Sequence, residues 1–150
     1  FIRGFNLVYQ NHPAMYFEEY NPSHFQWISA NNQSQSVIVF KREVKDECLI
    51  FVFNMTPNFY GCYDIGVPYA GRYEEILNSD KDIYGGWNQY NGGELKSVPG
   101  WYQNQPNRLT IKLASFGACF FKYIDEVEKV AEEEKKQVKP NKKNKSSSKN

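Results

Sequence analysis

At 150 residues the chain suits one ordinary domain and can bury a hydrophobic core without disulfide help. Its net charge of +1 supplies no field for nucleic acid, and no apolar run reaches the length of a membrane span. Aromatic residues make up 17% of the chain, a load that favours strands and suits a protein that touches sugars. Three cysteines, Cys48, Cys62 and Cys119, form no CxxC spacing. That argues against a disulfide framework or zinc site and for three buried thiols in a reducing compartment. No signal peptide is visible, so the expected location is cytoplasmic. Phe1 opens without Met and in mid-pattern, so the chain is expected to be part of a longer protein.

Phe1 to Gln10 carries apolar residues at roughly helical spacing, with Gly4 inside the pattern. Asn11-His12-Pro13 breaks it. If this stretch lacks packing partners, it is expected to be locally disordered and to leave an apolar patch. From there the chain reads as strands. Ala14 to Phe17 is a short apolar run before the turn signal Asn21-Pro22-Ser23. Phe25, Trp27 and Ser29 alternate with Gln26 and Ile28. The runs 36–42 and 48–54 are β-branched and aromatic, apolar on both faces, and so predict central strands covered on each side. The charged stretch Arg42 to Glu47 between them predicts a hairpin loop.

Tyr63 to Val67 and Arg72 to Leu77 are weaker strands. A long Asn/Gly-rich loop is then expected over 78–106, either functional or packed by its own Trp87, Tyr90, Trp101 and Tyr102. Arg108 to Leu113 alternates cleanly, so one face should be wet, and Ala118 to Tyr123 closes the sheet. Short strands with turn signals and no intervening helices predict an all-β fold, an antiparallel β-sandwich. Ile124 to Val138 reads as a marginal charged helix and 139–150 as a disordered Lys/Ser/Asn tail. From Ile124 onward eight Lys stand against six acidic residues. The tail lacks interleaved aromatics, so a solubilising linker fits it better than nucleic-acid binding.

Ordered blocks carry a resemblance. They are Leu7-Val8-Tyr9 with His12 to Tyr16, Phe25-Gln26-Trp27-Ile28 with Asn31-Asn32, Ser36 to Arg42, and Asn54-Met55-Thr56-Pro57. Tyr63 to Pro68, Gly71 to Asp80, Tyr84-Gly85-Gly86 and Asn91-Gly92-Gly93 follow. From about Leu7 to Tyr123 the chain resembles the C-terminal all-β domain of bacterial-type 1,4-α-glucan branching enzymes of the α-amylase superfamily. The resemblance implies residues 1–12 as the end of a catalytic-barrel helix, 13–123 as the all-β domain and 124–150 as a charged tail. Trp87-Asn88-Gln89-Tyr90 departs from the family's usual loop content.

Such enzymes, as the resemblance implies, cut α-1,4 glucan and re-form an α-1,6 bond with retention, using two facing carboxylates on the barrel. No motif here matches those, and the pairs Glu18-Glu19, Asp46-Glu47 and Glu74-Glu75 read as solvated charge, because neighbours on a strand face opposite ways. No catalytic residue, metal ligand set or cofactor is predicted. Sugar contact is what remains, since an aromatic ring offers a flat apolar face and nearby amides take hydroxyls. The candidates are Trp27 with Asn31 and Asn32, Trp87 with Tyr90 and Asn91, and Trp101 with Tyr102 and Gln103; each Trp otherwise simply packs the sandwich. Asn54 is expected to hold a turn at its strand end. The expected partners are α-glucan (glycogen, maltooligosaccharide) and the catalytic barrel of the same parent chain, with no nucleic acid and no membrane. A stand-alone glucan-binding module, or the equivalent domain of another amylase-superfamily hydrolase, fits the same residues.

Overall fold

A computed structural model describes residues 1–124. The charged-helix and tail expectations therefore lie outside the described residues, apart from Ile124, which ends a strand. Ten helical residues, α1 (Ile2–Asn11), lead into a 3-10 turn at Pro13–Met15, where a strand-like run was expected. Pro13 explains the difference, because it presets the first position of a tight helical turn and cannot donate to a ladder. Among the described residues no helix is long and apolar enough to cross a membrane.

The strands follow: β1 (Phe25–Ser29), β2 (Val37–Val44), β3 (Glu47–Asn54), β4 (Tyr60–Val67) and β5 (Arg72–Asn78). Then come β6 (Glu94–Lys96), β7 (Val98–Tyr102), β8 (Gln105–Leu113) and β9 (Ala118–Ile124). They form a six-stranded sheet, β1-β2-β3-β9-β5-β6, and a three-stranded sheet, β4-β8-β7, with every pairing antiparallel. The charged stretch 42–47 is mostly strand: Arg42 pairs with Leu49 and Glu43 with Cys48, leaving only Lys45 and Asp46 as the turn. Those charges sit in the ladder because they have partners. Arg42 donates to the carbonyls of Ala14 (2.7 Å) and Phe17 (3.1 Å), and Lys41 Nζ lies 2.8 Å from Glu43. The stretch 78–106 is likewise less loop than its composition predicts, since β6, β7 and the start of β8 occupy much of it.

The two sheets share one core. Val37, Val39, Ile50 and Val52 of the larger sheet meet Ile65, Val67, Leu109 and Ile111 of the smaller. Each such fully buried side chain contributes about 1.5–3 kcal/mol relative to exposure. β8 alternates strictly between buried and exposed positions, as its sequence requires of a strand with one wet face. β3 behaves differently: Ile50 and Val52 enter the sandwich, while Leu49 and Phe51 belong to a second cluster on the outer face of the same sheet. Two covered faces account for its unbroken apolar run.

The second cluster seats α1. Phe5 and Val8 pack on it, Phe5 meeting Phe120 edge-on at 6.3 Å, and Phe1 meets Tyr84 at 5.4 Å. The helix therefore has packing partners within the described residues, while Ile2, Leu7 and Tyr9 remain exposed as the expected apolar patch. Gly4 makes this packing possible, because a Cβ there would collide with the phenol of Tyr84.

Candidate functional site

Trp27 sits on edge strand β1 opposite Phe40 in register. Its ring meets Phe25 at 5.0 Å and Phe40 at 5.7 Å, both edge-on, and stays 55% exposed. Aromatic neighbours thus hold the indole in place while one side remains open. Asn31 and Asn32 line a shallow cleft of about 360 Å³ with Ile38 and Met55, which Trp27 does not line. Asn32 is also committed: its amide donates to Gln35 Oε1 (2.9 Å) and Tyr63 Oη (3.1 Å), and its Oδ1 accepts from Ser34 and Gln35. Burial raises the Tyr63 phenol pKa, with the Asn32 bond opposing it, so this hydroxyl stays neutral.

The loop after β5 is built on Asp80. Its Oδ1 accepts from Trp87 N–H (3.2 Å), its Oδ2 from Gln89 N–H (2.9 Å), and its backbone carbonyl from Asn88 N–H (2.7 Å). Gly86 is required at the crossing, since any Cβ would strike the Asp80 backbone. The result is an ordered loop carrying an indole that is 89% exposed. Tyr90 lies under the Lys81 ammonium, 5.6 Å from its ring centroid. Asn91 is a framework residue: its amide donates to Glu75 Oε1 (2.9 Å) and the Lys112 carbonyl (3.1 Å), and its Oδ1 accepts from Lys112 N–H (2.7 Å).

Trp101 lies in an irregularity of the β7–β8 pairing, beside Gly100 at φ 151, and is largely exposed. Bulges re-aim side chains in this way. Gln103 and Asn104, both at positive φ, form the two-residue turn to β8. Gln103 also accepts from Gly66 N–H (3.0 Å), so its carbonyl fixes the turn.

Two further aromatics, which sequence reasoning passed over, join Trp87. Phe59, from the β3–β4 connection, and Phe116, from the β8–β9 connection, line an open cleft of about 600 Å³ with Trp87, Asp80, Gln89 and Ser115. Phe116 sits at φ 47, where a bulky L-residue costs about 1–2 kcal/mol, and its ring is 70% exposed. Its N–H is held by the Thr56 carbonyl at 2.8 Å. Asn54 ties the two connections together. It donates to the carbonyls of Asn58 (2.7 Å) and Ala114 (2.9 Å) and accepts from Thr56 N–H and Oγ1. The expected turn role of Asn54 is thus present and reaches further than one turn.

Residues 27–124 match the family described as the alpha amylase C-terminal all-beta domain. The chain belongs to that family. As an amylase-type C-terminal β domain it is also similar to longer proteins. It is 41% identical over 134 residues to a 1,4-alpha-glucan branching enzyme of Clostridium perfringens (strain SM101 / Type A), covering 88% of this chain and 20% of the relative. It is 42% identical over 124 residues to a 1,4-alpha-glucan branching enzyme of Prochlorococcus marinus subsp. pastoris, covering 81% of this chain and 16% of the relative. A third such enzyme, from Hydrogenovibrio crunogenus, is 42% identical over 112 residues, covering 75% of this chain and 15% of the relative. The chain thus spans a fifth or less of the length of these curated relatives.

Within this β domain the acidic pairs do not all read as solvated charge. Glu47 bonds His12 and Ala14, and Glu75 bonds Asn78 and Asn91, so both are part of the framework. Glu18, Glu19, Asp46 and Glu74 are exposed, as expected. Cys48 and Cys119 are buried, with burial pushing the Cys48 thiol up to about 12 and the Cys119 thiol well above its ordinary value. Cys62 corrects the expectation of three buried thiols: it is exposed, at the irregularity in the β4–β8 pairing. One signal did mark Phe116 in the sequence. Ser115-Phe116-Gly117 places a phenylalanine at a tight connection, where small polar residues are the rule.

Proposed function

We propose that this β domain is the C-terminal domain of a 1,4-α-glucan branching enzyme, which cleaves α-1,4 linkages and forms α-1,6 linkages in the cytoplasm. The observation that carries the reading is the near 40% identity, over three quarters or more of the chain, to three proteins named as such enzymes. Retaining glucan transfer needs two opposed carboxylates, one as nucleophile and one as acid/base. In this reading they stand on the parent's barrel. The chain's own role is to brace that barrel and to meet glucan, and the chain alone is inactive. No cofactor takes part.

Two features support the division of labour. The outer face of the larger sheet carries α1, read here as the end of a barrel helix, with Ile2 and Leu7 exposed for a further partner to cover. Trp27, Trp87 and Trp101 are each more than half exposed, which suits contact with glycogen or maltooligosaccharide better than packing.

The test is the product linkage. The intact gene product should convert amylose into a polymer with new α-1,6 protons in its NMR spectrum, and the 150-residue chain should not. Release of reducing ends without new α-1,6 bonds would assign the domain to an amylase-superfamily hydrolase instead. Glycogen binding by an intact product with no activity on amylose would favour the stand-alone binding module.

A further inference from the structure

We propose that the cleft formed by Trp87, Phe59 and Phe116 is a dedicated α-glucan subsite, distinct in place from Trp27. The identity of the sugar rests on the branching-enzyme reading. The site itself rests on the geometry.

Three exposed aromatic rings from three separate connections line one cleft: β3–β4, β5–β6 and β8–β9. Single exposed apolar side chains are ordinary, whereas convergence on one concavity marks a binding surface. The volume of about 600 Å³ falls in the range of ligand clefts, about 300–1,000 Å³. Folding buries little of two of the rings. Trp87 is 89% exposed, and Phe116 holds a left-handed backbone conformation while leaving its ring in water. Strain kept at an exposed aromatic points to use rather than to packing.

The chemistry of the rim fits a polyol. The Asp80 carboxylate uses one acceptor position per oxygen on the Trp87 and Gln89 amides and keeps capacity for hydroxyl donors. Gln89 adds a primary amide and Ser115 a hydroxyl, both exposed. Flat apolar rings with hydroxyl partners at the edge are what a glucose ring requires, one apolar face down and its hydroxyls outward. The site is also ordered before any ligand arrives. Asp80 fixes the Trp87 loop, and Asn54 and the Thr56 carbonyl fix the loops of Phe59 and Phe116.

The experiment uses the 150-residue chain and follows its three indole N–H resonances by NMR during titration with maltoheptaose. Each resonance is assigned by its loss in a Trp→Phe variant. The proposal expects a saturable shift of the Trp87 resonance. Phe59→Ala and Phe116→Gly should each weaken that binding about two- to tenfold. Phe116→Gly should at the same time raise the thermal midpoint, because glycine accepts positive φ without strain. That opposed pair of changes separates a binding residue from a structural one. A Phe116→Gly protein that binds as wild type overturns the proposal. So does a saturable shift confined to Trp27 or Trp101, or no shift at millimolar sugar, and these results leave the parent assignment to the linkage assay. An equal response to cellohexaose overturns the α-glucan assignment.

Discussion

Nδ1 of His12 lies 2.6 Å from Oε1 of Glu47, across 35 residues of sequence. The second oxygen of the same carboxylate accepts from the N–H of Ala14 at 2.8 Å, and Lys122 Nζ on β9 stands 3.9 Å from Oε1. One side chain thus joins the end of α1, the 3-10 turn and two strands. Glu47→Ala removes the acceptor for the N–H of the fully buried Ala14. We expect a loss of about 1–3 kcal/mol in urea unfolding, with faster hydrogen exchange at the Ala14 amide. Unchanged exchange there would mean that the carboxylate does not hold the turn.

Asn54 is the second such joint, and it is 2% exposed. Asn54→Ala takes the Asn54 donor from the Asn58 carbonyl and leaves the Ala114 carbonyl with the Gly117 N–H. The expected cost is about 2–3 kcal/mol, read as a lower urea midpoint. Asn54→Asp should cost more at neutral pH, because a carboxylate would face both carbonyls, and the difference from Ala should shrink in acid as the new group protonates.

The thiols should separate cleanly. Ellman's reagent at mildly alkaline pH should label Cys62 at once and leave Cys48 and Cys119 unreacted until the chain is unfolded. Both buried thiols have raised pKa values, so the neutral form favoured by folding is fully present below their unfolded value of about 8.5. Stability should therefore decline as pH rises above that value. Fast native labelling at three sites would contradict the burial described for β3 and β9.

Glu43 supplies the acid counterpart. Burial works to raise its pKa, but hydrogen bonds from Lys41 and Tyr69 prevail and hold it below the ordinary carboxylate value. A depressed carboxyl stabilises fully above the unfolded value of about 4.3 and loses that contribution as pH falls through the folded one. Tyr69→Phe removes one of the two bonds. The stability gap between wild type and variant should be widest near neutral pH and narrow below about pH 4. A gap independent of pH would exclude Glu43 as its source.

The strands were readable because their cause is local. The unbroken apolar run of β3 and the strict alternation of β8 each state how many faces are covered. Arg42 and Glu43 misled as loop residues because their partners, Ala14, Phe17 and Tyr69, lie 25 to 28 residues away. Trp87 and the fixed turn at Asn54 were visible as residues. The cleft was not, because Phe59 and Phe116 join Trp87 only through the order of the strands. Asn31, Asn32 and Asn91 stood out as hydroxyl partners by composition; in the fold Asn32 and Asn91 also bond the framework, and Asn31 lines a cleft that Trp27 does not line.

The position of β9 has a bearing on how the chain is made. Last of the described strands in sequence, it lies between β3 and β5 near the middle of its sheet. As the polypeptide emerges from its N-terminus, β1–β3 and β5–β6 can each pair early, but nothing connects them until residues 118–124 arrive. Until then β3 and β5 both present unpaired edges, and the first of these is among the most apolar segments of the chain. A ribosome that stalls inside the β8–β9 connection would leave a nascent chain with two adhesive edges and no means of covering them. Synthesis of β9 is therefore the step at which this sheet passes from aggregation-prone to closed.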